Sequence, residues 1–269
     1  MMSCHRRTQR GTTWARPVVR GTMLLVCSRL LAAQTVSPTP GSIQDFATQL
    51  PLSHQFSFEQ QIQSGTQGGS ANGNPFAYGH GMQVRPWLHY DGIPNTTITG
   101  SMSYIYYFTV PGTSYYRHPE WRVTVLGNLR QTFSGGSLYE QVRFELLNFR
   151  ASDGAVQQLP RVRFRFGQNL NLSEGRSKPY LGVYEEAITQ FPTASYSGVH
   201  CQGARFFAGY GFDYGKRASL LLGFKAEAEV SNSGSTVTLF YGPVFSFKYN
   251  FTRGEINEKH KRTTAFKDF

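Results

Sequence analysis

Residues 161–166 read Arg-Val-Arg-Phe-Arg-Phe, inside the stretch Pro160–Leu170. A strand sends successive side chains to opposite faces. Val162, Phe164 and Phe166 therefore share one face, and Arg161, Arg163 and Arg165 the other. Arginine is rarely buried without a partner, so an ordinary two-sided core does not fit. The pattern suits a wall with lipid on one side and a wet or charge-paired interior on the other. Gly242–Phe251 repeats it, with Phe245, Phe247, Tyr249 and Phe251 alternating against Ser246, Lys248 and Asn250. Backbone polar groups in lipid must be paired internally, and a sheet does this only by closing into a barrel.

The same period extends in both directions. Besides Pro160–Leu170, strands are predicted at Ser53–Gln63, Tyr78–Tyr90, Thr97–Phe108, Trp121–Thr132, Leu138–Phe149, Pro179–Thr189, Gly203–Tyr214, Arg217–Val230 and Thr236–Phe251. Each pits an apolar face against a polar one; Met82, Val84, Leu88 and Tyr90, for example, oppose Gln83, Arg85, Trp87 and His89. At Pro179–Thr189 the phase is open, because Glu185 and Glu186 are adjacent. Connections after the first, third, fifth and seventh strands are generally long, and those after the second, fourth and eighth are short. Long outer loops and short periplasmic turns alternate this way in bacterial barrels with an even strand number. The predicted fold is all-β: an antiparallel up-and-down transmembrane β-barrel of about ten strands, with eight or twelve possible, and both ends on the periplasmic side.

The chain has 269 residues, 14% of them aromatic and only 16% charged, a composition that leans towards β structure. No run of ~18 apolar residues exists for a transmembrane helix. The net charge of +11 would suit a nucleic-acid binder if it were concentrated on one face. Instead, six arginines and no acid lie in residues 1–30, and five basic against three acidic residues lie in 252–269, which leaves about +3 for the body. Nucleic acid is therefore not an expected partner. Residues 1–22 are basic and Met23–Ala33 is a short apolar run ending in small residues, the order of a secretion signal. The domain reading is a targeting segment over 1–33, a proline-punctuated linker over 34–52, a barrel over 53–251 and a polar tail over 252–269. Cys4 and Cys27 fall in the targeting segment and leave Cys201 alone, and no His/Cys spacing suits zinc, so neither metal nor cofactor is expected.

Three stretches carry a family resemblance: Pro179–Ala187 (PYLGVYEEA), Ala204–Gly223 (ARFFAGYGFDYGKRASLLLG) and the aromatic final strand. With them the chain resembles the bacterial family catalogued as domain of unknown function 2490, over about Phe56–Phe251. The family's usual ending is at the aromatic strand, whereas this chain continues past Phe251. The resemblance implies an outer-membrane barrel and brings no established activity. It also implies that Phe245, Phe247, Tyr249 and Phe251 form the signal read by the outer-membrane assembly machinery.

The charges in phase with the interior are the functional candidates: Arg85, Arg122, Arg130, Arg143, Glu145, Arg161, Arg163, Arg165, Arg205, Lys225, Glu227, Glu229 and Lys248, with Glu185 or Glu186 adding one more. Opposite charges on neighbouring strands would pair and fill the lumen, since charges away from water persist only when paired. That gives a non-enzymatic structural barrel. Unpaired, the same cations would line a narrow anion-preferring pore for small solutes. A lipid-modifying enzyme would carry a serine beside a histidine, but no histidine here begins His-x-Ser. His89 and Asp91 share a face but lie at an expected rim, so no catalytic residue is assigned. A soluble lipocalin-like periplasmic binder would instead enclose Phe164, Phe166, Leu222 and Phe224.

Overall fold

The structure, a computed structural model, describes residues 35–68, 76, 78–108, 119–150, 154–173, 177–191, 200–215, 217–230 and 236–252. The targeting segment, nearly all of the tail, and Cys4 and Cys27 lie outside these residues. The described chain is a closed barrel of eleven strands. They are β1 (Thr35–Pro51), β2 (Phe56–Gln67), β3 (Tyr78–Ile93), β4 (Thr96–Tyr107), β5 (Glu120–Phe133), β6 (Gly136–Arg150), β7 (Val156–Asn171), β8 (Ser177–Gln190), β9 (His200–Tyr214), β10 (Ala218–Val230) and β11 (Thr236–Asn250). All ten strands anticipated from the alternation are present as β2–β11, each antiparallel to its sequence neighbours.

The eleventh is β1, and it corrects the linker reading of 34–52. β1 runs antiparallel to β2 and parallel to β11, closing the barrel between the two ends of the sheet. Its prolines had argued against a strand, because proline donates no ladder hydrogen bond. The register explains how they fit. Pairing with β2 begins only at Gly41, opposite Gln67, so Pro38 and Pro40 lie beyond the β2 ladder and align with β11 alone. The Pro40 carbonyl accepts from Gly68 N–H at 2.7 Å, which places the Pro40 peptide edge on the β2 side, where no ladder donor is missed. With this added strand the described ends sit at opposite rims: Thr35 at the rim of the longer connections, Asn250 at the rim of the short turns. Both ends had been expected at one rim.

The short-turn rim carries the hairpins at Pro94–Asn95 and Ser134–Gly135. Asn95 adopts φ 58°, a left-handed conformation that asparagine tolerates better than most residues.

The wall is two-faced throughout. Outward residues stay exposed in a continuous apolar girdle: Val125 (50%), Phe144 (55%), Leu222 (49%) and Phe224 (50%) mark three of its strands. Val162, Phe164 and Phe166 lie on this outer side, in register with Phe144, Val142 and Glu140. Arg161, Arg163 and Arg165 point inward. The exceptions to the girdle are few. Glu140 and Glu185 flank Phe166 on the outside, and Ser42, Gln44, Ser64 and Thr66 form a hydrogen-bonded polar patch on β1 and β2.

Candidate functional site: a charge belt across the lumen

Eight strands leave an interior just wide enough for side chains to fill. Eleven leave more, and here the longest polar side chains span the difference. On β6 and β7 the register sets Glu145 opposite Arg161, and Arg143 opposite Arg163. On β7 and β8 it sets Arg165 opposite Glu186, which is itself opposite Arg205 on β9. Arg205 is opposite Glu227 on β10. The side-chain contacts follow that diagonal.

Glu145 is 4% exposed and meets four guanidinium groups: Arg161 at 2.6 Å, Arg163 at 2.8 Å, and Arg122 and Arg143 each at 3.7 Å. Glu186, 1% exposed, accepts from Arg163 at 3.0 Å, Arg165 at 2.8 Å and Arg205 at 3.0 Å. Arg205 then reaches Glu227 at 2.5 Å, and Lys225 donates to the same carboxylate at 2.8 Å. At the other end Arg122 donates to Glu120 at 2.6 Å. The result is an unbroken alternation of charge, Glu120–Arg122–Glu145–Arg163–Glu186–Arg205–Glu227–Lys225, running from β5 to β10. Because Glu186 rather than Glu185 faces inward, the ambiguous phase of β8 is resolved in favour of the belt.

The remaining sequence candidates divide. Arg85 points into the lumen but binds neutral partners, Gln61 at 3.2 Å and Gln83, and its guanidinium lies 5.1 Å from the Trp87 ring centre. Arg143 approaches the same ring at 5.9 Å. Lys248 makes a separate pair with Glu59 at 2.5 Å, across β1. Glu229 lines the wall above the belt. Arg130 is exposed near the short-turn rim, where it lines the smaller lumen cavity. Glu59, Glu120 and Asp45 were missed as lumen residues. Strand parity with Gln61, Arg122 and Ala47 would have found them.

The belt separates two cavities. The larger, about 750 Å³, lies towards the long-loop rim, with Arg122, Arg161, Arg163 and Arg205 in its floor and Ile105, Leu147, Phe149 and Leu159 in its wall. The smaller, about 320 Å³, lies towards the short-turn rim among Tyr139, Tyr180, Tyr184 and Phe207. Here aromatic rings lie over glycines. A Cβ on Gly211 would come within 2.0 Å of the Tyr180 ring, and one on Gly223 within 2.5 Å of Phe207. Phe207 stacks on Tyr184 with ring centres 5.0 Å apart and planes at 17°, and Arg165 caps Tyr184 at 4.2 Å.

No model of a known protein family matches this chain, and no curated protein is detectably similar to it. The chemistry of the site is therefore read from the geometry alone. One line of residues has the order hydroxyl, imidazole, carboxylate: Thr99 Oγ1 lies 3.0 Å from His89 Nδ1, and His89 Nε2 lies 3.6 Å from Glu59. Thr99 is only 3% exposed, so its hydroxyl is closed to a substrate, and Lys248 already holds the Glu59 carboxylate. Asp91 accepts from Thr97 at 2.6 Å. The described residues contain no group of His, Cys, Asp and Glu able to hold a metal ion.

Proposed function

We propose that this chain is a bacterial outer-membrane β-barrel with a structural, non-enzymatic role, its lumen barred at mid-height by paired charges. The observation that carries the reading is the contrast between the two sides of one wall. The apolar girdle is exposed, while the guanidinium groups of the belt are enclosed and paired. A soluble barrel gains nothing from leaving Phe144, Phe206, Leu222 and Phe224 half exposed, whereas acyl chains cover such a face at no cost. Strands of 12 to 17 residues are long enough to cross, since a tilted transmembrane strand needs about 9–11. The aromatic outer face of β11, with Phe245, Phe247 and Tyr249, and Phe251 just beyond it, supports recognition by the outer-membrane assembly machinery.

The belt argues against an open pore. Its members donate to one another rather than to water, and leaving one unpaired is costly. Two measurements test the proposal. Cell fractionation should place the protein in the outer membrane, resistant to alkaline extraction. Purified protein in a planar bilayer should give no stepwise current above leak. Recovery in the soluble periplasmic fraction sinks the membrane reading, and a steady ion-selective current sinks the barred lumen.

A further inference from the structure

The cavity above the belt has a composition that a merely plugged barrel does not require. Its charged lining is richer in arginine than in carboxylate: Arg122, Arg150, Arg161, Arg163 and Arg205 stand with Glu120, Glu227 and Glu229. One wall is apolar, and the register shows why the two adjoin: Arg122 on β5 stands opposite Leu147 on β6, and Leu147 opposite Leu159 on β7. Ile105 and Phe149 extend this shelf on either side of Glu120.

Two enclosed guanidinium groups, those of Arg85 and Arg143, lack a close carboxylate. Arg85 has only glutamines as hydrogen-bond partners, and Arg143 comes no nearer than 3.7 Å to a carboxylate. In addition, the Nε of Arg205 is buried with no hydrogen-bond partner, and Arg205 lines the cavity. Arg85 and Arg143 lie outside the cavity lining, whereas a buried guanidinium N–H with no acceptor, as at Arg205, is unfavourable, and a bound oxyanion supplies that acceptor.

We propose that this cavity binds a water-soluble amphipathic anion, a carboxylate or phosphate monoester carrying a short alkyl or aryl group. The oxyanion meets the arginine floor at Arg205, Arg161 and Arg163, where forked N–H donors suit two acceptor oxygens. The apolar body lies along Leu147, Leu159 and Phe149. The cavity volume of about 750 Å³ falls in the range of small-molecule sites. The inference needs the arginine floor but not the surrounding bilayer, so it is tested separately from the proposed function.

The experiment is isothermal titration of the full chain folded into zwitterionic nanodiscs, with empty nanodiscs subtracted. The probes are hexyl phosphate, hexanoate, inorganic phosphate and hexylammonium. Hexyl phosphate and hexanoate should bind saturably at one site. Hexyl phosphate should bind at least tenfold more tightly than inorganic phosphate, and hexylammonium should give no saturable heat. Arg205→Gln should weaken hexyl phosphate at least tenfold. Leu159→Asn, higher in the wall, should erase the advantage of the hexyl group and leave inorganic phosphate within twofold. Should Arg205→Gln fail to fold, the Leu159 variant and the hexylammonium comparison still decide. Equal affinity for hexylammonium overturns the proposal, as does the absence of saturable binding by both amphipathic anions. A conducting channel in the bilayer experiment overturns the barred lumen and leaves the titration result standing.

Discussion

Glu186→Gln removes the central negative charge of the belt and little else. The residue is 1% exposed, and three arginines converge on it at 2.6 to 3.0 Å. Each charge-assisted hydrogen bond contributes about 1.5–3 kcal/mol, but the three share one carboxylate and do not add. Removing one partner of a buried ion pair costs about 3–5 kcal/mol, because the opposite charge is left uncompensated. Arg163 and Arg205 keep Glu145 and Glu227, so the loss falls mainly on Arg165, which among the described residues pairs with Glu186 alone. A loss of about 3–5 kcal/mol is expected. For a barrel of this size that lowers Tm by about 6–20 °C. The assay is urea unfolding in zwitterionic micelles, followed by the change of Trp fluorescence and by the heat-shifted band on gels. Glu185→Gln, the same chemical change one residue away on the outer wall, should change stability by less than about 1 kcal/mol. A double variant with Arg165→Met should recover part of the Glu186 loss, giving a coupling energy of about 1–3 kcal/mol. If Glu186→Gln and Glu185→Gln are equally mild, the belt does not hold the barrel together and the reasoning fails.

Other outcomes follow from the same geometry. Leu222→Arg on the outer girdle should destabilise the protein in bilayers by about 2–4 kcal/mol if the site lies near the midplane; an unchanged unfolding midpoint in lipid counts against the membrane reading. Gly223→Ala should cost about 1–3 kcal/mol by crowding the Phe207 ring and the Ala208 carbonyl oxygen, and Phe207→Leu should relieve only the part due to the ring in the same urea assay. Deletion of residues 35–51 should abolish the heat-shifted folded band, because β1 supplies the partner for both β2 and β11; a deletion variant that still folds means that the other ten strands close by themselves.

Much of this architecture was legible because each strand separates two unlike environments. The phases of Val162 against Arg163, Leu222 against Lys225 and Phe245 against Lys248 needed only parity, and each side chain lies on the side that parity assigned. Parity fails where both neighbours are alike. Glu185 and Glu186 could not be told apart until register set Glu186 between Arg165 and Arg205. Register was also what hid β1. Its Thr-Val-Ser-Pro-Thr-Pro start has no apolar alternation, and Pro38 and Pro40 are tolerable because the β2 ladder ends beside Gly41. Which cations pair and which remain in surplus is likewise a matter of three-dimensional distance. Arg85 and Arg130 share a phase with the belt arginines, yet the first meets glutamines and the second lies at a rim.

The parallel seam bears on how the molecule is made. Thr35 aligns with Thr236, so the two strands that complete the ring come from opposite extremes of the described chain. Hairpins can zip one after another from β2 to β11, but that yields only a curved sheet with two open borders. Joining the borders must wait for the final strand, at the entropic cost of a loop spanning nearly the whole polypeptide. A nascent chain cut anywhere inside β11 therefore loses two ladders at once, and its exposed borders are free to pair with other chains.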